Sequence, residues 1–405
     1  MTIDFDTKWD HRGLNSLKWE FFVRDGEPEP WEDTSPDLGD ARVLSMWVAD
    51  MDFRVAEPIV AALQRRVQSG IFGYAGVTSG YISAVASWMQ RRHGCPLNHE
   101  WVVATIGLVP ALHMIVRQFT GPGDSVLIQR PVYYPFSYAV ENNQRKVISN
   151  SLCLENGEYR MDFDDLEAKV RDANIKLAIL CNPHNPVGRV WSRGELSKFA
   201  RICHRNKILV VSDEIHGDLI LPGHKMTSYC ALDPELTENS IVCTSASKTF
   251  NLAGLKTSNL IIKNSDIRAK MKAEIHASGL WGLNPFGLVA TQTAYESGES
   301  WLKEVIRYIA DNHELLDSYL RMYIPVLSVA PAEATYLAWV DCRGLGLDES
   351  ALNDLMMGNA RVYLNNGSIF GPEGSGFVRI NLACPSSILK EALGRIRTAV
   401  NELLT

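Results

Sequence analysis

The feature that most constrains this chain is a series of seven short apolar runs, rich in β-branched residues, between residues 102 and 262. They fall at 102–106, 125–128, 146–149, 177–181, 208–212, 241–244 and 259–262. Several are separated by stretches with apolar residues at helical spacing, at 108–119, 163–170 and 193–205. Short runs of this kind have to be buried on both faces, and their alternation with helices is the βαβ pattern of a mainly parallel sheet. In such sheets ligands gather beyond the carboxyl ends of the strands. The chemistry of the chain is therefore sought where the runs end.

Outside this region the patterning changes. After about residue 285 come helical stretches at 285–297 and 301–323 and strand patterns at 326–329 and 335–340. A helix near 349–357, further strands at 361–364 and 377–381, and a last helix at 387–404 complete a separate α+β unit. Upstream, helical patterns at 58–68 and up to about 93 flank a Gly/Tyr segment at 73–80. The first fifty residues are irregular and rich in Asp, Pro and Trp, and 27–40 reads as an exposed loop. A length of 405 residues suits two cores. The expected division is an N-terminal segment at 1–53 packing with the small domain and the active site, a large domain at 54–290 and a small C-terminal domain at 291–405.

A net charge of -7 leaves no basic excess to neutralise phosphates, which argues against a nucleic-acid partner. No apolar run approaches the roughly 18 residues of a spanning helix, and the first residues lack an apolar signal core, so no membrane and a cytoplasmic location are expected. The eight cysteines are scattered without a CxxC pair and are expected as reduced thiols rather than a disulfide framework. The histidines form no HExxH or tight cluster, so no metal site is expected.

Three run ends carry chemistry. The stretch 244–255, Thr-Ser-Ala-Ser-Lys-Thr-Phe-Asn-Leu-Ala-Gly-Leu, sets Lys248 among Ser245, Ser247 and Thr249 directly after an apolar run. Burial lowers a lysine's pKa, and such an amine is suited to a Schiff base with a carbonyl or with pyridoxal 5′-phosphate (PLP). A surface lysine at a strand end is the plain alternative. Ser212-Asp-Glu-Ile-His216 places carboxylates and an imidazole at a buried strand end. Asp213 there could face a pyridinium nitrogen and keep that ring protonated, or it could cap the next segment. In 180–188, Leu-Cys-Asn-Pro-His-Asn-Pro-Val-Gly, prolines fix the backbone and Asn side chains can donate to a ligand oxygen. Gly107 joins a strand directly to a helix whose N–H groups could hold a phosphate, although a plain strand–helix turn looks the same.

Ser212-Asp-Glu-Ile-His216 followed by Ser-Ala-Ser-Lys-Thr-Phe-Asn-Leu-Ala-Gly-Leu at 245–255 resembles the fold-type I PLP enzymes of the aspartate aminotransferase superfamily. Trp47-Val-Ala-Asp-Met-Asp-Phe53, with Phe72-Gly-Tyr74, is similar to the cystathionine β-lyase-like, MalY/PatB-type carbon–sulfur lyases. The likeness runs from Trp47 to the stretch 377–385. It implies a PLP-dependent transferase-like α/β fold, a large domain with a mainly parallel seven-stranded sheet and a smaller α+β domain. It also implies roles. Lys248 would carry PLP and shuttle protons, Asp213 would pair with the ring nitrogen, and Asn185 and His216 would lie near the ring's phenolic oxygen. Tyr stands at the position of His216 in many aminotransferases, and His is common in this subgroup. Tyr133 would stack on the ring and touch substrate, with Tyr134 as its neighbour. Gly107, the Leu108 backbone and Ser245 would hold the phosphate, and Lys256 stands where relatives often carry Arg. Tyr74 would reach the phosphate of a neighbouring subunit in a homodimer. Arg379 would bind the substrate α-carboxylate, with Ala49 also at the substrate.

The activity implied is α,β-elimination from L-cystathionine or another cysteine S-conjugate, giving a thiol, pyruvate and ammonia. An aminotransferase acting on an amino acid would use the same core residues, since fold alone does not fix function. A third reading takes Ser245-Ala-Ser-Lys248 as the Ser-x-x-Lys of penicillin-recognising serine hydrolases. It fails on order, because Ser212-Asp-Glu precedes the lysine and Lys256-Thr-Ser follows it too closely. A regulatory role on the same fold would coexist with bound PLP. Loops at 13–36 and 279–285 are expected to shape the thiol-side pocket.

Overall fold

The computed structural model describes residues 3–405 apart from 12, 25, 32–42, 156 and 281. Much of the expected 27–40 loop therefore lies outside the described residues, as does Trp281 in the 279–285 stretch.

The apolar runs form one seven-stranded sheet. Its strands are β1 (Val102–Thr105), β2 (Ser125–Ile128), β3 (Lys146–Ser149), β4 (Ile175–Cys181), β5 (Leu209–Asp213), β6 (Ser240–Thr244) and β7 (Ser258–Ile261). They lie in the order β1-β7-β6-β5-β4-β2-β3. All neighbours pair parallel except β7, which is antiparallel to both β6 and β1. The period of two sends alternate side chains into opposite cores. Leu177, Ile179, Leu209 and Val211 pack on one face, and Ala178, Leu180 and Val210 on the other. Both faces are thus apolar and buried, which is why these runs read as continuous rather than alternating.

Register aligns the carboxyl ends of the central strands. Asp213, the last residue of β5, lies opposite Cys181 of β4 and Cys243 of β6. Gly107, Tyr133, Asn185 and Lys248 follow β1, β2, β4 and β6, so their segments leave the sheet along the same edge. Because β7 runs the other way, Lys256 enters that edge just before its strand.

A four-stranded antiparallel sheet follows, built from β8 (Ser328–Val329), β9 (Leu337–Asp341), β10 (Asn365–Asn366) and β11 (Phe377–Asn381) in the order β8-β9-β11-β10. Helices Glu299–Tyr323 and Ser386–Leu404 share an apolar cluster with it, and so do Trp19, Leu44 and Met46 of the N-terminal segment. The expected helix at 349–357 is Glu349–Asn353 continued by a π-helical turn, Asp354–Asn359.

Two expectations change. Glu27–Pro30 is not loop but a strand paired antiparallel with Phe21–Arg24. Its two prolines conceal it, because Pro in a strand pattern normally marks an edge or a turn. Cys95 and Cys230 are bonded to each other, with Cα atoms 6.2 Å apart across a sequence separation of 135. Only tertiary packing brings them together, so no spacing motif announces the pair. Among the described residues no helix is long and apolar enough to cross a membrane.

Candidate active site

A cavity of about 350 Å³ opens at the carboxyl edge of the large sheet. Lys248, Asp213, His216, Asn185, Tyr133, Gly107, Leu108, Lys256, Ala49 and Arg379 all line it. These residues come from segments up to 330 positions apart in the chain, Ala49 to Arg379 (379 − 49), and the topology gathers them.

Lys248 lies on a short helical turn, Ala246–Thr249, directly after β6. Ser245 caps that turn, accepting from the Ser247 N–H at 3.1 Å while its hydroxyl donates to the Thr257 carbonyl at 2.8 Å. Ser245 is buried behind the wall, and Ser247 faces the cavity instead. The Lys248 ammonium donates to the Ala49 carbonyl at 2.7 Å, and the Tyr336 hydroxyl donates to the same oxygen at 2.8 Å. Burial pulls the lysine's pKa down to about 8, against the opposing pull of Asp50 and Asp213.

Asp213 is buried and accepts one hydrogen bond, from the Ile215 N–H at 3.0 Å. Desolvation pushes its pKa up to about 6. His216 is buried and held neutral, its pKa pushed down to about 3 by burial with the nearby Lys248 and Arg379 charges. Its Nδ1 has no hydrogen-bond partner. Burial likewise raises the Tyr133 phenol well above its ordinary value.

Arg379, in the middle of β11, is buried yet has no carboxylate beside it. Its guanidinium donates to Asn185 Oδ1 at 3.0 Å, to the Trp47 carbonyl at 2.8 Å and to Asn365 Oδ1 at 2.5 Å. It also sits 4.9 Å from the centre of the Phe370 ring, and its Nε has no partner. These neutral acceptors orient the fork without cancelling its charge. Burial accordingly lowers its pKa to about 10. A planar cation held this way is ready for a bidentate carboxylate.

Gly107 has φ +132° and caps the helix Leu108–Phe119, whose first turn has no side-chain cap. A side chain is disfavoured at that φ, so glycine is needed for the turn that aims the helix's free N–H groups at the cavity. Tyr74 does not line the cavity of its own chain. It is 93% exposed and borders a hollow with Gly279, Gly282 and Leu283.

Some site residues carry no sequence signal. Tyr336, Asn365 and Asn381 hold the site through side-chain hydrogen bonds, and each is an ordinary residue in or beside a strand. Asn381 Nδ2 donates to the Val48 and Asp50 carbonyls at 2.5 and 2.6 Å. Tyr134 lines the cavity beside Tyr133, and Leu17 reaches it from the N-terminal segment.

The chain matches the family model "Aminotransferase class I and II" over residues 45–396. It is 41% identical over 399 residues to cystathionine beta-lyase PatB of Bacillus subtilis, covering 98% of this chain and 100% of that protein. Protein MalY of Escherichia coli is 32% identical over 372 residues, covering 91% and 95%. Among solved structures, cystalysin from Treponema denticola, which contains a pyridoxal 5′-phosphate cofactor, superposes with a TM-score of 0.93 at 38% identity over 100% of both chains. With a family model spanning most of its length and relatives aligned almost end to end, the chain belongs to the class I and II aminotransferase family, on the branch that holds PatB and MalY.

Proposed function

We propose that this protein is a PLP-dependent carbon–sulfur β-lyase acting on L-cystathionine or related cysteine S-conjugates. The observation that carries the proposal is one cavity holding a lysine of lowered pKa, a buried carboxylate with no cation bonded to it, and a buried arginine with no anion bonded to it. The relatives that align along the whole chain carry the name cystathionine β-lyase, which favours elimination over transamination.

The residues fit the cofactor. Asp213 lacks a cation and a ring N–H would supply one. Tyr133 offers an aromatic face, and the uncapped helix start at Gly107 with Lys256 offers phosphate donors. His216 and Asn185 line the same cavity and would partner polar substituents of the ring. When bound, PLP supplies an electron sink for charge developing at the substrate's Cα.

The protein's own groups do the rest. Arg379 holds the α-carboxylate and fixes which substituent lies in line for departure. Lys248, partly neutral near neutral pH, takes the Cα proton as general base. The Ala49 carbonyl and Tyr336 keep the amine in place, because any free amine at that position has an acceptor waiting at 2.7 Å. In net terms R–S–CH2–CH(NH3+)–COO− and one water give R–SH, pyruvate and ammonium. The Cβ–S bond breaks, sulfur leaves with the electron pair and takes up a proton, and water hydrolyses the remaining C–N bond.

The proposal includes a homodimer, with Tyr74 of one subunit serving the phosphate end of the other site. It also includes the three-part division at residues 53 and 290, supported by a small-domain cluster to which the large sheet contributes no residue. The deciding experiment is pyruvate release from cystathionine by the holoenzyme with no keto acid added. Steady release is expected, with borohydride fixing the cofactor on Lys248 and Lys248→Ala losing turnover. Activity appearing only with an added keto acid would make the protein an aminotransferase.

A further inference from the structure

The segment that leaves β5 carries Asp213 and His216 to the cavity, and two residues further on it carries a third buried group, Asp218. Neither Asp218 nor Thr249, the residue after Lys248, lines the cavity. The Thr249 hydroxyl donates to Asp218 Oδ2 at 2.9 Å, and Thr249 is fully buried. One hydrogen bond thus joins the turn that bears Lys248 to the segment that bears Asp213 and His216.

The acceptor is itself fixed. Trp88 Nε1 donates to the two Asp218 oxygens at 3.0 and 3.1 Å, and His93 Nε2 lies 2.9 Å from Oδ1. Arg92 Nε stands 3.8 Å from the same oxygen. Burial works against both charges of the His93–Asp218 pair. Asp218 and Glu214 nevertheless hold His93 above its ordinary pKa, and His93 with Arg92 holds Asp218 below its own. A buried carboxylate satisfied by a cation and several donors is a rigid anchor. Trp88 is held in turn, stacked on Tyr295 at 5.1 Å and lying 5.7 Å from Phe250, the residue after Thr249. The helix Ser79–His93, which supplies Trp88, Arg92 and His93, therefore reaches the Lys248 turn through Asp218.

We infer that Asp218, through Thr249, is a positioning residue for Lys248, setting where the amine stands relative to Asp213 and His216. The inference rests on the reading of Lys248 as the acting amine and adds the group that aims it. The Ala49 carbonyl holds the tip of the side chain, whereas Thr249 holds the backbone from which it springs. A base has to stand within hydrogen-bond reach of the proton it takes, and a misplacement of about 1 Å can cost on the order of 100-fold. Arg379 takes its contacts from Asn185, Trp47 and Asn365, so substrate binding draws on other residues.

Thr249→Val keeps the shape of the side chain and removes the donor. For pyruvate release from cystathionine by the holoenzyme, kcat is expected to fall about tenfold or more with KM changed less than about twofold. Thr249→Ser, which restores the hydroxyl, should recover most of the loss. Apoprotein of Thr249→Val should also capture PLP on Lys248 about tenfold more slowly, followed by absorbance and borohydride trapping. If Asp218 acts through Thr249, adding Asp218→Asn to Thr249→Val should lower kcat by no more than about a further twofold. A larger added loss would remove Asp218 from the role. A Thr249→Val variant with wild-type kcat and capture rate, or a loss that serine does not recover, overturns the inference. Thr249→Ala removes the same donor with less bulk and is read the same way where the valine variant does not fold. Failure of both to fold while Thr249→Ser folds would make the hydroxyl a structural contact and overturn it as well. Wild-type protein that captures no PLP on Lys248 would overturn the reading of the lysine, and the inference with it.

Discussion

Burial acts on Lys248 and Asp213 in the same sense, pushing each toward its neutral form. For the amine this is a gain in reactivity. With a pKa of about 8, roughly a tenth of it is neutral at pH 7, against about one in three thousand for an ordinary lysine. Only the neutral amine attacks an aldehyde, so the rate at which apoprotein captures PLP should rise about tenfold per pH unit up to near pH 8 and then level off. Stopped-flow absorbance of the captured cofactor checks this, and a rate still climbing tenfold per unit between pH 9 and 10 would place the amine near its ordinary pKa. At this scale Lys248, Asp213 and Gly107 were legible because each follows or ends an apolar run, where the sheet has to deliver it to one edge. Asn365 and Tyr336 were not. Their roles come from tertiary contacts with Arg379 and Ala49, and nothing in their local sequence marks them.

Between the residue and the fold lies the segment around Trp47–Asp52, which works as a strap over the site. Arg379 takes the Trp47 carbonyl, Asn381 those of Val48 and Asp50, Lys248 that of Ala49, and Asn251 that of Met51. Asp52 ties the strap to the Leu17–Glu20 turn, accepting from Lys18 at 2.9 Å and from the Trp19 indole at 2.7 Å. Burial works against the Lys18 charge, yet Asp52 and Asp50 together hold its pKa above the ordinary lysine value. A raised folded-state pKa means the stabilisation is fully present below the unfolded pKa and is lost only as pH rises through the folded value. At neutral pH the pair is therefore intact. Lys18→Met would leave Asp52 buried without its cation and should cost about 3–5 kcal/mol, while adding Asp52→Asn should recover much of that. Denaturant unfolding of both variants tests it, and equal losses in the single and double variants would show that the pair is not coupled. The strands of the large sheet were readable to within a residue or two from apolar runs alone. The hairpin Phe21–Pro30 was not, since its two prolines and exposed edge carry no such run.

At the scale of the whole molecule, the site described within one chain is open to completion by another. Val67, Ile71, Phe72, Tyr74 and Val77 are large apolar residues exposed within eleven positions, the densest such run among the described residues. A patch of this kind on a folded chain marks an interface more often than a free surface. Tyr74 sits in its midst and does not line the cavity of its own chain. A two-fold contact through this patch would bury both copies at once, since a symmetric dimer uses the same surface twice. The end of the cavity proposed for the phosphate, lined by the helix start at Gly107, Lys256, Thr257 and Ser258, would then gain Tyr74 from the other copy. Sedimentation velocity of the holoenzyme should give a dimer. Ile71→Asp combined with Phe72→Asp should give a monomer that folds but releases PLP more readily on dialysis, because these side chains lie outside both cores. A wild-type protein that sediments as a monomer and keeps its PLP would rule out the shared site. A double variant that dissociates yet retains PLP as tightly would uphold the wild-type dimer through this patch but take Tyr74 out of the proposed phosphate contact.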